Sequence, residues 1–403
     1  MLTTLIYRSQ LNLSCRSAEL RALVERARIR NTNQNITGVL LSNGSDVMQI
    51  LEGSEESVVK LFHKIRDDQR HCGVVELMRD YGPRRRFNNA GMLLFDLQVQ
   101  SPKEVLQSVL DYSQLESYLT SDDRVFIFIQ SFITGKHAGN SRAPADAAKW
   151  TLSREKAPFG EAVGLIADQI CQFALQPIVE PSEGKISSLE ALIRSNDGGS
   201  PEHFFKPLDQ DRIYEVDLQT KKYAFALAEK LGIGSHKIAV NLLPMSLVNV
   251  PGAVEFLVDQ ISLHGLQPEQ VVIEVTENEM ISGFNKFNSA IKRLRGEGIG
   301  LAIDDFGSGY AGLSLLTRFQ PDKIKIDREI VSNIHLSGAK QAIVRSIVSC
   351  CTDLEITLVA EGIEKLEEWC WLESAGIRRF QGFLFARPQL NGVGDIHWPH
   401  LVR

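Results

Sequence analysis

A unit that recurs about every 30 residues constrains the fold more than any other feature of this sequence. From about residue 160 onward, each unit contains a short apolar strand, a polar residue at the end of that strand and an amphipathic helix. Chains that alternate strands and helices in this way form parallel sheets covered by helices. Eight such strands predict a TIM-like (β/α)8 barrel. Their sequences are FALQPIVE, ISSLEALIRS, KIAVNLL, VVIEVTE, IGLAIDD, KIKID, TLVAEG and RRFQGFLF.

The first two predicted strands, FALQPIVE and ISSLEALIRS, have no helical stretch between them. Two parallel strands need a crossover connection of about a dozen residues or more, whereas antiparallel strands need only a tight turn. We therefore expect these two strands to pair antiparallel. The predicted barrel is accordingly a modified one.

Residues 1–97 show a different order, βαββαββ, with helical stretches at SAELRALVERARIRN and SEESVVKLFHKIRDD. The pair Asn43-Gly44 is a strong signal for a hairpin between two β-like runs. Ser54, followed by Glu55 and Glu56, is a typical start of a helix. Together these signals predict a ferredoxin-like α+β domain whose helices lie on one face of the sheet.

The segment 98–160 separates the two predicted domains. PKEVLQSVLDYSQL and DDRVFIFIQSFITG are expected to be helices that cover the open face of the N-terminal sheet. Residues 136–160 are rich in small, polar and charged residues without a sustained period, which is typical of a linker. With 403 residues, the chain exceeds the usual size of one hydrophobic core. The predicted domains are therefore 1–97 and 161–403, with covering helices and a linker between them.

The composition is that of an ordinary soluble protein, with 43% hydrophobic residues, 23% charged residues and a formal net charge of -6. This charge argues against binding to DNA or RNA duplexes and to anionic membranes. No apolar run approaches the roughly 20 residues of a membrane-spanning helix, and the N-terminus lacks the pattern of a signal peptide. We therefore expect a cytoplasmic protein.

Polar side chains follow most of the predicted barrel strands. In such barrels the active site lies at the carboxyl ends of the strands. Clustered carboxylates there would repel one another unless a cation compensates, and oxygen ligands favour Mg²⁺ or Mn²⁺ over Zn²⁺. The set therefore favours a metal site, although each residue alone could be an ordinary polar strand end. The residues are Glu190, Asn241, Glu274, Glu277, Asp304, Asp305, Lys325, Asp327, Glu361 and Gln381.

Asp304 and Asp305 lie side by side in AIDDFGSGY. On a regular strand they would point to opposite faces, so both reach one site only where the strand ends and the backbone turns. Gly307 and Gly309 are expected to supply that turn. One carboxylate can then bridge two ions about 3.5–4 Å apart, as in metal-assisted hydrolysis of phosphate esters. Lys325 adds a positive charge for a phosphate group or the attacking water.

The stretches SLEALIRS, VNLLP, IEVTE, AIDDFGSGY, KIKIDR, AEGIE and QGFLFARP resemble the successive motifs of the EAL family of cyclic-di-GMP phosphodiesterases. The resemblance covers the chain from about residue 161 onward. It implies hydrolysis of cyclic-di-GMP to the linear dinucleotide pGpG with two divalent metal ions, Mg²⁺ or Mn²⁺. The implied metal ligands are Glu190, Asn241, Glu274 and Asp304, with Asp305 and Glu361 at the second ion.

The same resemblance assigns further roles around the metals. Lys325 is expected to hold or activate the nucleophilic water, and Glu277 to steady the loop after Asp305. All positions expected to hold metal are intact, which favours an active enzyme over a non-catalytic copy. Ser308 and Ala311-Gly312 depart from the usual Thr and Ser-Ser of the family, and these departures concern the stiffness of the loop. The implied substrate-binding residues are Leu192, Arg194, Asp327, Gln381 and Pro388.

Two polar side chains stand on apolar rows of the N-terminal sheet. Gln49 lies on the apolar face of DVMQILEG, and Tyr7 lies on that of TLIYRS. A buried amide and phenol need partners, and pairing with each other and with a polar heterocycle would satisfy both. Arg84, Arg85 and Arg86 could then hold the phosphate of that ligand. The alternative is a Gln49 bonded to backbone, a Tyr7 at the edge of the core and a solvated arginine turn.

LIYRS, RIRN before ITGVLL, MQILEG, RDDQRH and RRRF before GM resemble the BLUF family of blue-light-sensing flavin domains over about residues 1–95. The resemblance implies a bound flavin, either FAD or FMN. It makes Tyr7 and Gln49 the hydrogen-bond switch at the isoalloxazine ring. Asn31 is implied to bind the ring edge, and Met92 to transmit the change. Many family members have Trp two residues before that Met, but Ala90 stands here, so a signalling route through that Trp does not apply.

A BLUF domain joined to an EAL domain resembles the blue-light-regulated cyclic-di-GMP phosphodiesterases. We therefore expect a homodimer in which light rearranges the Tyr7–Gln49–flavin bonds and shifts the loop around Asp305. Two other hypotheses remain open. In one, the barrel only binds a partner protein or a dinucleotide. In the other, the enzyme is constitutive and its N-terminal domain is only a dimerisation module.

Overall fold

The computed structural model describes residues 1–11, 17–87, 90–112, 123–135, 145–164, 169–206, 208–209, 212–276, 284–308 and 312–402. The chain divides into two compact units. One consists of Met1–Gly139 with Thr352–Glu355, and the other of Asn140–Cys351 with Ile356–Arg403. Among the helices of the described residues, none combines the length and the hydrophobicity needed to cross a membrane.

The first unit is built on a five-stranded sheet. Its strands are β1 (Leu2–Leu11), β2 (Thr37–Ser42), β3 (Asp46–Gly53), β4 (His71–Gly82) and β5 (Leu93–Asp96). Its helices are α1 (Ser17–Asn33), α2 (Glu55–Arg66), α3 (Pro102–Tyr112) and α4 (Arg124–Thr134). The strands lie in the order β4-β1-β3-β2-β5, with β2 and β5 parallel and the other neighbours antiparallel. This order confirms the predicted ferredoxin-like arrangement, with β5 added at one edge.

Each face of this sheet packs against a different pair of helices, because strand side chains alternate between the two faces. Tyr7 and Leu51 share a core with residues of α1 and α2, among them Phe62. Ile6 and Ile50, on the opposite face, share a core with residues of α3 and α4. The prediction that α3 and α4 cover the open face of the sheet is therefore confirmed.

Two local signals in the first unit act as the sequence predicts. Asn43 Oδ1 accepts a hydrogen bond from the backbone N of Asp46 at 2.8 Å and stabilises the hairpin between β2 and β3. Ser54 Oγ accepts one from the backbone N of Ser57 at 3.3 Å and caps the first turn of α2. Capping of this kind satisfies a backbone donor that the helix itself leaves unpaired.

The second unit contains a ten-stranded sheet and a two-stranded ribbon. The strands are β6 (Trp150–Glu155), β7 (Gln172–Glu180), β8 (Lys185–Arg194), β9 (Lys237–Asn241), β10 (Val271–Thr276), β11 (Gly300–Phe306), β12 (Lys323–Ile326), β13 (Thr357–Ala360), β14 (Arg379–Phe380), β15 (Pro388–Leu390), β16 (Gly392–Val393) and β17 (Ile396–Leu401). The helices are α5 (Pro201–Phe205), α6 (Ile213–Leu231), α7 (Pro244–Asn249), α8 (Ala253–Leu263), α9 (Phe284–Gly296), α10 (Gly312–Arg318), α11 (Arg328–Val331), α12 (Gly338–Asp353) and α13 (Leu366–Ser374).

The pairing of these strands produces a closed barrel. Strands β8 to β14 follow one another in chain order and pair parallel. Strand β7 is antiparallel to β8 and also to β14, so it closes the barrel between them. The modified TIM-like barrel and its antiparallel first pair are both confirmed.

Residues 150–155 differ from the expectation of a linker that extends to residue 160. They form β6, which pairs antiparallel with β17 from Trp150 opposite Leu401 to Glu155 opposite Ile396. The indole of Trp150 also packs edge-on against that of Trp369, with the ring centroids 4.8 Å apart. The partner strand lies at the other end of the unit's sequence, so local periodicity could not indicate this pairing.

Candidate functional site

Six polar side chains from neighbouring strands meet at the carboxyl edge of the barrel. Because β8 to β13 are parallel, their last residues lie at the same edge. The register supports this meeting, since Asn241 stands opposite Glu274 and Thr276 stands opposite Asp304. The six residues are Glu190 of β8, Asn241 of β9, Glu274 of β10, Asp304 of β11, Lys325 of β12 and Glu361 directly after β13.

Lys325 lies at the centre of this group. Its Nζ is 2.6 Å from Glu361 Oε1, 2.7 Å from Glu274 Oε2, 3.1 Å from Asp304 Oδ1 and 3.2 Å from Glu190 Oε2. Burial would lower the pKa of Lys325, but the four carboxylates outweigh this effect and raise the pKa well above its usual value. Lys325 is therefore a permanent cation, and a single positive charge does not balance four carboxyl groups.

Two sets of three carboxyl groups, both within the described residues, are arranged as metal ligands. Glu190, Glu274 and Asp304 form the first set, and Asp304, Asp305 and Glu361 form the second. Within each set, one oxygen of every residue lies within 4.8 Å of the others, and Asp304 belongs to both sets. Oxygen ligands suit hard divalent ions, and two such ions about 3.5–4 Å apart can share a ligand. The residues therefore fit two ions of the Mg²⁺ or Mn²⁺ type.

Burial and mutual repulsion raise the pKa of most of these carboxyl groups. The pKa of Glu274 lies well above its usual value because the group is buried and faces the charges of Glu190 and Asp304. The pKa of Glu361 is raised well above its usual value for the same reasons. Burial and two neighbouring aspartates raise the pKa of Asp305 to about 6. A divalent cation would relieve this repulsion and displace the bound protons.

The amides of Asn241 and Gln381 hold Glu190 in place. Asn241 Nδ2 donates to Glu190 Oε1 at 2.8 Å, and Gln381 Nε2 donates to Glu190 Oε2 at 2.6 Å. Burial raises the pKa of Glu190, but Lys325 and the two amides more than offset this and lower the pKa below its usual value. Gln381 Nε2 also donates to Gln176 Oε1 at 3.1 Å. The sequence reading missed Gln176, although a glutamine inside the apolar strand FALQPIVE signals a buried hydrogen-bonding role.

A β-bulge brings Asp305 into the site. Strand β11 continues to Phe306, but its register against β12 shifts between Ile303 and Phe306, so two residues of β11 face one residue of β12. Asp305 has a φ of 53°, in the left-handed region that residues other than glycine seldom adopt. The expectation that the strand ends between Asp304 and Asp305 is therefore wrong. The bulge, inside the strand, directs both carboxylates to one side.

Gly307 follows the bulge with a φ of 95°. A Cβ atom at this position would come within 2.3 Å of Ile330 Cδ1. The backbone conformation therefore favours glycine, and any larger residue would also have to displace the end of the Ile330 side chain. Gly309, the second glycine of the predicted turn, and Glu277, the predicted support of the loop, lie outside the described residues.

The predicted substrate-binding residues lie at or next to the ends of four strands, β8, β12, β14 and β15. Leu192 and Arg194 are half-buried in the last part of β8, and Pro388 is half-buried at the start of β15. The Arg194 guanidinium donates to the neighbouring backbone carbonyl at 2.8 Å, and burial lowers its pKa. Asp327 Oδ1 accepts from the backbone N of Glu329 at 2.7 Å and caps α11. Contact of these residues with a dinucleotide stays a prediction.

In the first unit, Tyr7 and Gln49 stand opposite each other on β1 and β3. The Tyr7 hydroxyl donates to Gln49 Oε1, and Gln49 Nε2 donates to Met92 Sδ at 3.3 Å. Burial, with a smaller effect of the Asp68 charge, raises the pKa of Tyr7 far above its usual value, so the phenol keeps its proton. The three side chains form a buried chain of uncharged groups.

Asn31 extends this group along α1. Its Nδ2 donates to the backbone O of Gly91 at 3.0 Å, and the side chain is buried. A Cβ atom at Gly91 would lie 2.3 Å from the backbone O of Arg28, so glycine is needed where the segment that carries Met92 passes α1. Asn31, Gln49 and Met92 therefore offer amide and thioether groups of the kind that can meet the polar edge of a flavin.

The three arginines predicted to hold a phosphate differ in their surroundings. Arg86 donates to Asp123 Oδ2 at 3.0 Å and to Thr4 Oγ1 at 2.9 Å. Arg84 is exposed. Arg85 donates to Thr37 Oγ1 at 2.8 Å, to the backbone O of Glu52 at 2.9 Å and to the backbone O of Asn35 at 2.6 Å. The guanidinium of Arg85 thus ties its loop to the ends of β2 and β3, a role that the sequence did not indicate.

Fold and sites together define a two-domain protein, in which a ferredoxin-like domain with a buried polar chain is followed by a TIM-like barrel with clustered carboxyl groups. The chain matches the family described as "EAL domain" over residues 163–388 and the family described as "Sensors of blue-light using FAD" over residues 2–93. The chain belongs to the EAL family and carries a BLUF domain in its N-terminal part. Both resemblances in the sequence are therefore confirmed.

Two relatives match this chain over at least 99% of its length, and a third matches only part of it. The chain is 43% identical over 400 residues to the "Blue light- and temperature-regulated antirepressor BluF" of Escherichia coli (strain K12), with 99% of each chain covered. It is also similar to Klebsiella pneumoniae BlrP1 in a complex with manganese and cy-diGMP, with 50% identity, a TM-score of 0.62 and 100% of each chain covered. BlrP1 has also been solved with FMN and cyclic diGMP. A standalone EAL protein from Vibrio cholerae O395, bound to c-di-GMP, is 31% identical with a TM-score of 0.54 and covers 57% of this chain and 97% of its own.

Proposed function

We propose that this protein hydrolyses cyclic-di-GMP to the linear dinucleotide pGpG and that blue light controls the rate. The observation that carries the proposal is the pair of carboxylate sets that share Asp304. Membership of the EAL family, and the cyclic dinucleotide bound by the Klebsiella and Vibrio proteins, support this choice of substrate. The manganese of the Klebsiella complex supports Mn²⁺, beside Mg²⁺, as the kind of ion that the site takes.

The proposed chemistry divides between the ions and the chain. When bound, the two ions would lower the pKa of a water molecule and polarise the phosphodiester. Lys325, a permanent cation in the site, stabilises negative charge on the attacking oxygen or on the phosphate. Attack on phosphorus breaks one ester P–O bond, and the displaced ribose oxygen leaves with a proton. The proposed ligands are Glu190, Asn241, Glu274 and Asp304 for one ion and Asp304, Asp305 and Glu361 for the other.

The BLUF domain would bind its flavin, FAD or FMN, beside Tyr7 and Gln49. The flavin supplies the absorption of blue light. Tyr7 donates to Gln49 Oε1, and Gln49 Nε2 donates to Met92. If the oxygen and nitrogen of the Gln49 amide exchanged places, both bonds would have to change. Such an exchange is a two-state element without any movement of charge.

Turnover of cyclic-di-GMP with Mg²⁺ or Mn²⁺, in darkness and in blue light, tests the proposal directly. We expect hydrolysis that requires metal and that changes with light in the wild type but not in Tyr7→Phe. Tyr81→Phe is a matched control, because the Tyr81 hydroxyl donates to Glu55 at 2.8 Å within the same unit. Equal wild-type rates in both conditions would overturn light control, and no turnover with either metal would overturn the enzymatic activity. Analytical ultracentrifugation of the same samples tests the predicted homodimer.

The antirepressor from Escherichia coli favours a second candidate, because it matches this chain over 99% of both sequences. In that candidate, the protein is a light-responsive regulator whose barrel binds a partner protein or a dinucleotide without hydrolysis. The complete carboxylate sets count against it. Incubation of the wild type with cyclic-di-GMP and Mn²⁺ separates the two candidates. Tight binding with the nucleotide recovered intact would replace the phosphodiesterase with the regulator.

A further inference from the structure

The turn between β9 and α7 is held by a buried side chain of another helix. Only two residues separate Asn241, the last residue of β9, from Pro244, the first of α7. The backbone N of Leu243, in this turn, donates to Asp217 Oδ2 of α6 at 2.9 Å. Ser246 Oγ, at the start of α7, donates to the same oxygen at 2.9 Å. Asp217 therefore accepts hydrogen bonds both from the turn that follows Asn241 and from the helix after that turn.

Asp217 is itself held by a cation. Lys221 Nζ, one turn further along α6, donates to Asp217 Oδ1 at 2.6 Å. Both side chains are only 3% exposed, so this is a buried ion pair. Such pairs contribute little net stability compared with well-packed apolar side chains, because both charges lose their hydration. Stability alone is thus a weak explanation for the pair, and its three convergent donors point to a geometric role.

The geometry points to Asp217 as a positioning residue for the metal ligand Asn241. We propose that the Asp217–Lys221 pair fixes the turn after β9, so that the Asn241 amide stays beside Glu190, to which it donates at 2.8 Å. This inference rests on the proposed function, in which Asn241 and Glu190 hold a metal ion. Residues that orient metal ligands in this way typically affect metal affinity by about 10–100-fold.

A purely structural ion pair in the same unit offers a matched control. Arg379 Nε lies 2.9 Å from Glu180 Oε1, and both side chains are buried. Glu180 ends β7, which runs antiparallel to the strands that carry the metal site, so it lies at the opposite end of the barrel. Replacing this carboxylate opens a buried ion pair but leaves the turn after β9 undisturbed. It therefore measures how much the loss of a buried ion pair alone changes metal binding.

The experiment is a Mn²⁺ titration of the full chain, with free Mn²⁺ measured by electron paramagnetic resonance. Asp217→Asn keeps the shape of the side chain but leaves one acceptor oxygen for three donors. We expect Asp217→Asn to weaken Mn²⁺ binding by about 10–100-fold and Glu180→Gln to change it by less than about 2-fold. Turnover by Asp217→Asn should recover at saturating Mn²⁺. The Mn²⁺ concentration needed for half-maximal turnover should therefore rise by a larger factor than the maximal rate falls.

Each outcome decides the assignment. A folded Asp217→Asn with wild-type Mn²⁺ affinity, or an equal loss in Glu180→Gln, would overturn the positioning role. If Asp217→Asn does not fold, Ser246→Ala decides instead, because it removes one donor and leaves the ion pair intact. We expect Ser246→Ala to weaken Mn²⁺ binding by about 3-fold, and an unchanged affinity would refute the role. A wild type that binds no Mn²⁺ would overturn the proposed function, and this inference with it.

Discussion

The hydrogen-bonded chain of the first unit and the carboxylate site of the second differ in charge. Tyr7, Gln49 and Met92 are joined by bonds between uncharged groups. At the barrel edge, Lys325 is surrounded by four carboxyl groups. Neutral hydrogen bonds can exchange at a cost of about 1 kcal/mol each, whereas separating a buried charge from its partner costs about 3–5 kcal/mol. The first arrangement therefore suits a switch, and the second suits a site of fixed geometry.

The largest expected effect comes from the residue that both metal sets share. Asp304→Asn removes a charge from each set, so we expect turnover to fall by roughly 1000-fold, which corresponds to about 4 kcal/mol. The flavin absorption spectrum and its response to light should stay unchanged in the same sample. Tyr7, Gln49 and Met92 are uncharged and belong to the other unit, so their hydrogen bonds do not depend on the charge of Asp304. Loss of the spectral response together with turnover would show that the two regions do not behave independently. Turnover above a tenth of the wild-type rate would remove Asp304 from the proposed mechanism.

The next effect concerns stability. Lys325→Met leaves three buried carboxyl groups and the half-buried Glu361 without their cation, so we expect the free energy of unfolding in EDTA to fall by about 3–5 kcal/mol. Added Mn²⁺ should restore part of the loss, because it binds only the folded form. Thermal or urea unfolding measures both. Lys185→Met is the control, since the Lys185 side chain is 40% exposed and pairs with the exposed Glu183 and with Glu180, which keeps Arg379 as a cationic partner. Equal free energies of unfolding for the wild type and Lys325→Met would contradict the role of Lys325 as the cation that stabilises the four carboxyl groups.

The uncharged group of Tyr7, Gln49 and Met92 should lose less stability when one of its side chains is replaced. Tyr7→Phe removes one buried hydrogen bond, which typically contributes about 1 kcal/mol to the free energy of unfolding. We expect a loss of about this size, close to that of Tyr81→Phe, and several times smaller than that of Lys325→Met. Urea unfolding of the three variants side by side tests the ratio. A loss in Tyr7→Phe as large as in Lys325→Met would mean that the two regions do not differ as proposed.

The smallest expected effect is a pH dependence confined to the charged site. The pKa of Asp305 is raised to about 6 in the folded protein, whereas an unfolded Asp releases its proton near pH 4. At this group the folded state therefore binds more protons in this interval, so the contribution of Asp305 to the free energy of unfolding in EDTA should fall as pH rises from about 4 to about 6. Asp305→Asn should remove this contribution, which we expect to be less than about 1 kcal/mol because the group is partly exposed.

Urea unfolding at several pH values in EDTA measures this difference. Tyr7→Phe should leave the dependence as in the wild type, because the raised pKa of Tyr7 lies far above this interval. Identical curves for the wild type and Asp305→Asn would show that Asp305 does not titrate as described.

The sequence predicted the features that depend on local pattern. The repeated strand and helix units predicted the barrel, and residues at strand ends predicted the carboxylate cluster, because parallel strands bring their ends together whatever the loops do. The bulge at Asp305 escaped prediction because it depends on the register against β12, a partner that periodicity does not specify. Strand β6 escaped for a similar reason, since its partner β17 is distant in the chain.

Buried polar residues mark a different limit. Gln176 and Asp217 interrupt apolar patterns in β7 and α6, so the sequence could have flagged each as a residue with a specific partner. Their hydrogen-bond partners could not be predicted from the sequence, because the bonds join elements that meet only in the folded barrel. Arg85 illustrates the same limit. The arginine run predicted a phosphate site, which stays a prediction, but the run gave no sign of the protein oxygens to which this guanidinium donates.

The ribbon of β6 and β17 determines where the barrel can be cut. A fragment that begins at residue 161 lacks β6 and exposes the backbone donors and acceptors of β17, an edge prone to pairing with other chains. A fragment that begins at residue 145 keeps the ribbon closed. Because the ribbon places the first and last strands of the unit side by side, new chain ends can be opened elsewhere and the old ones joined by a short linker. The barrel is thus suited to circular permutation and to insertion as a module into a loop of another protein.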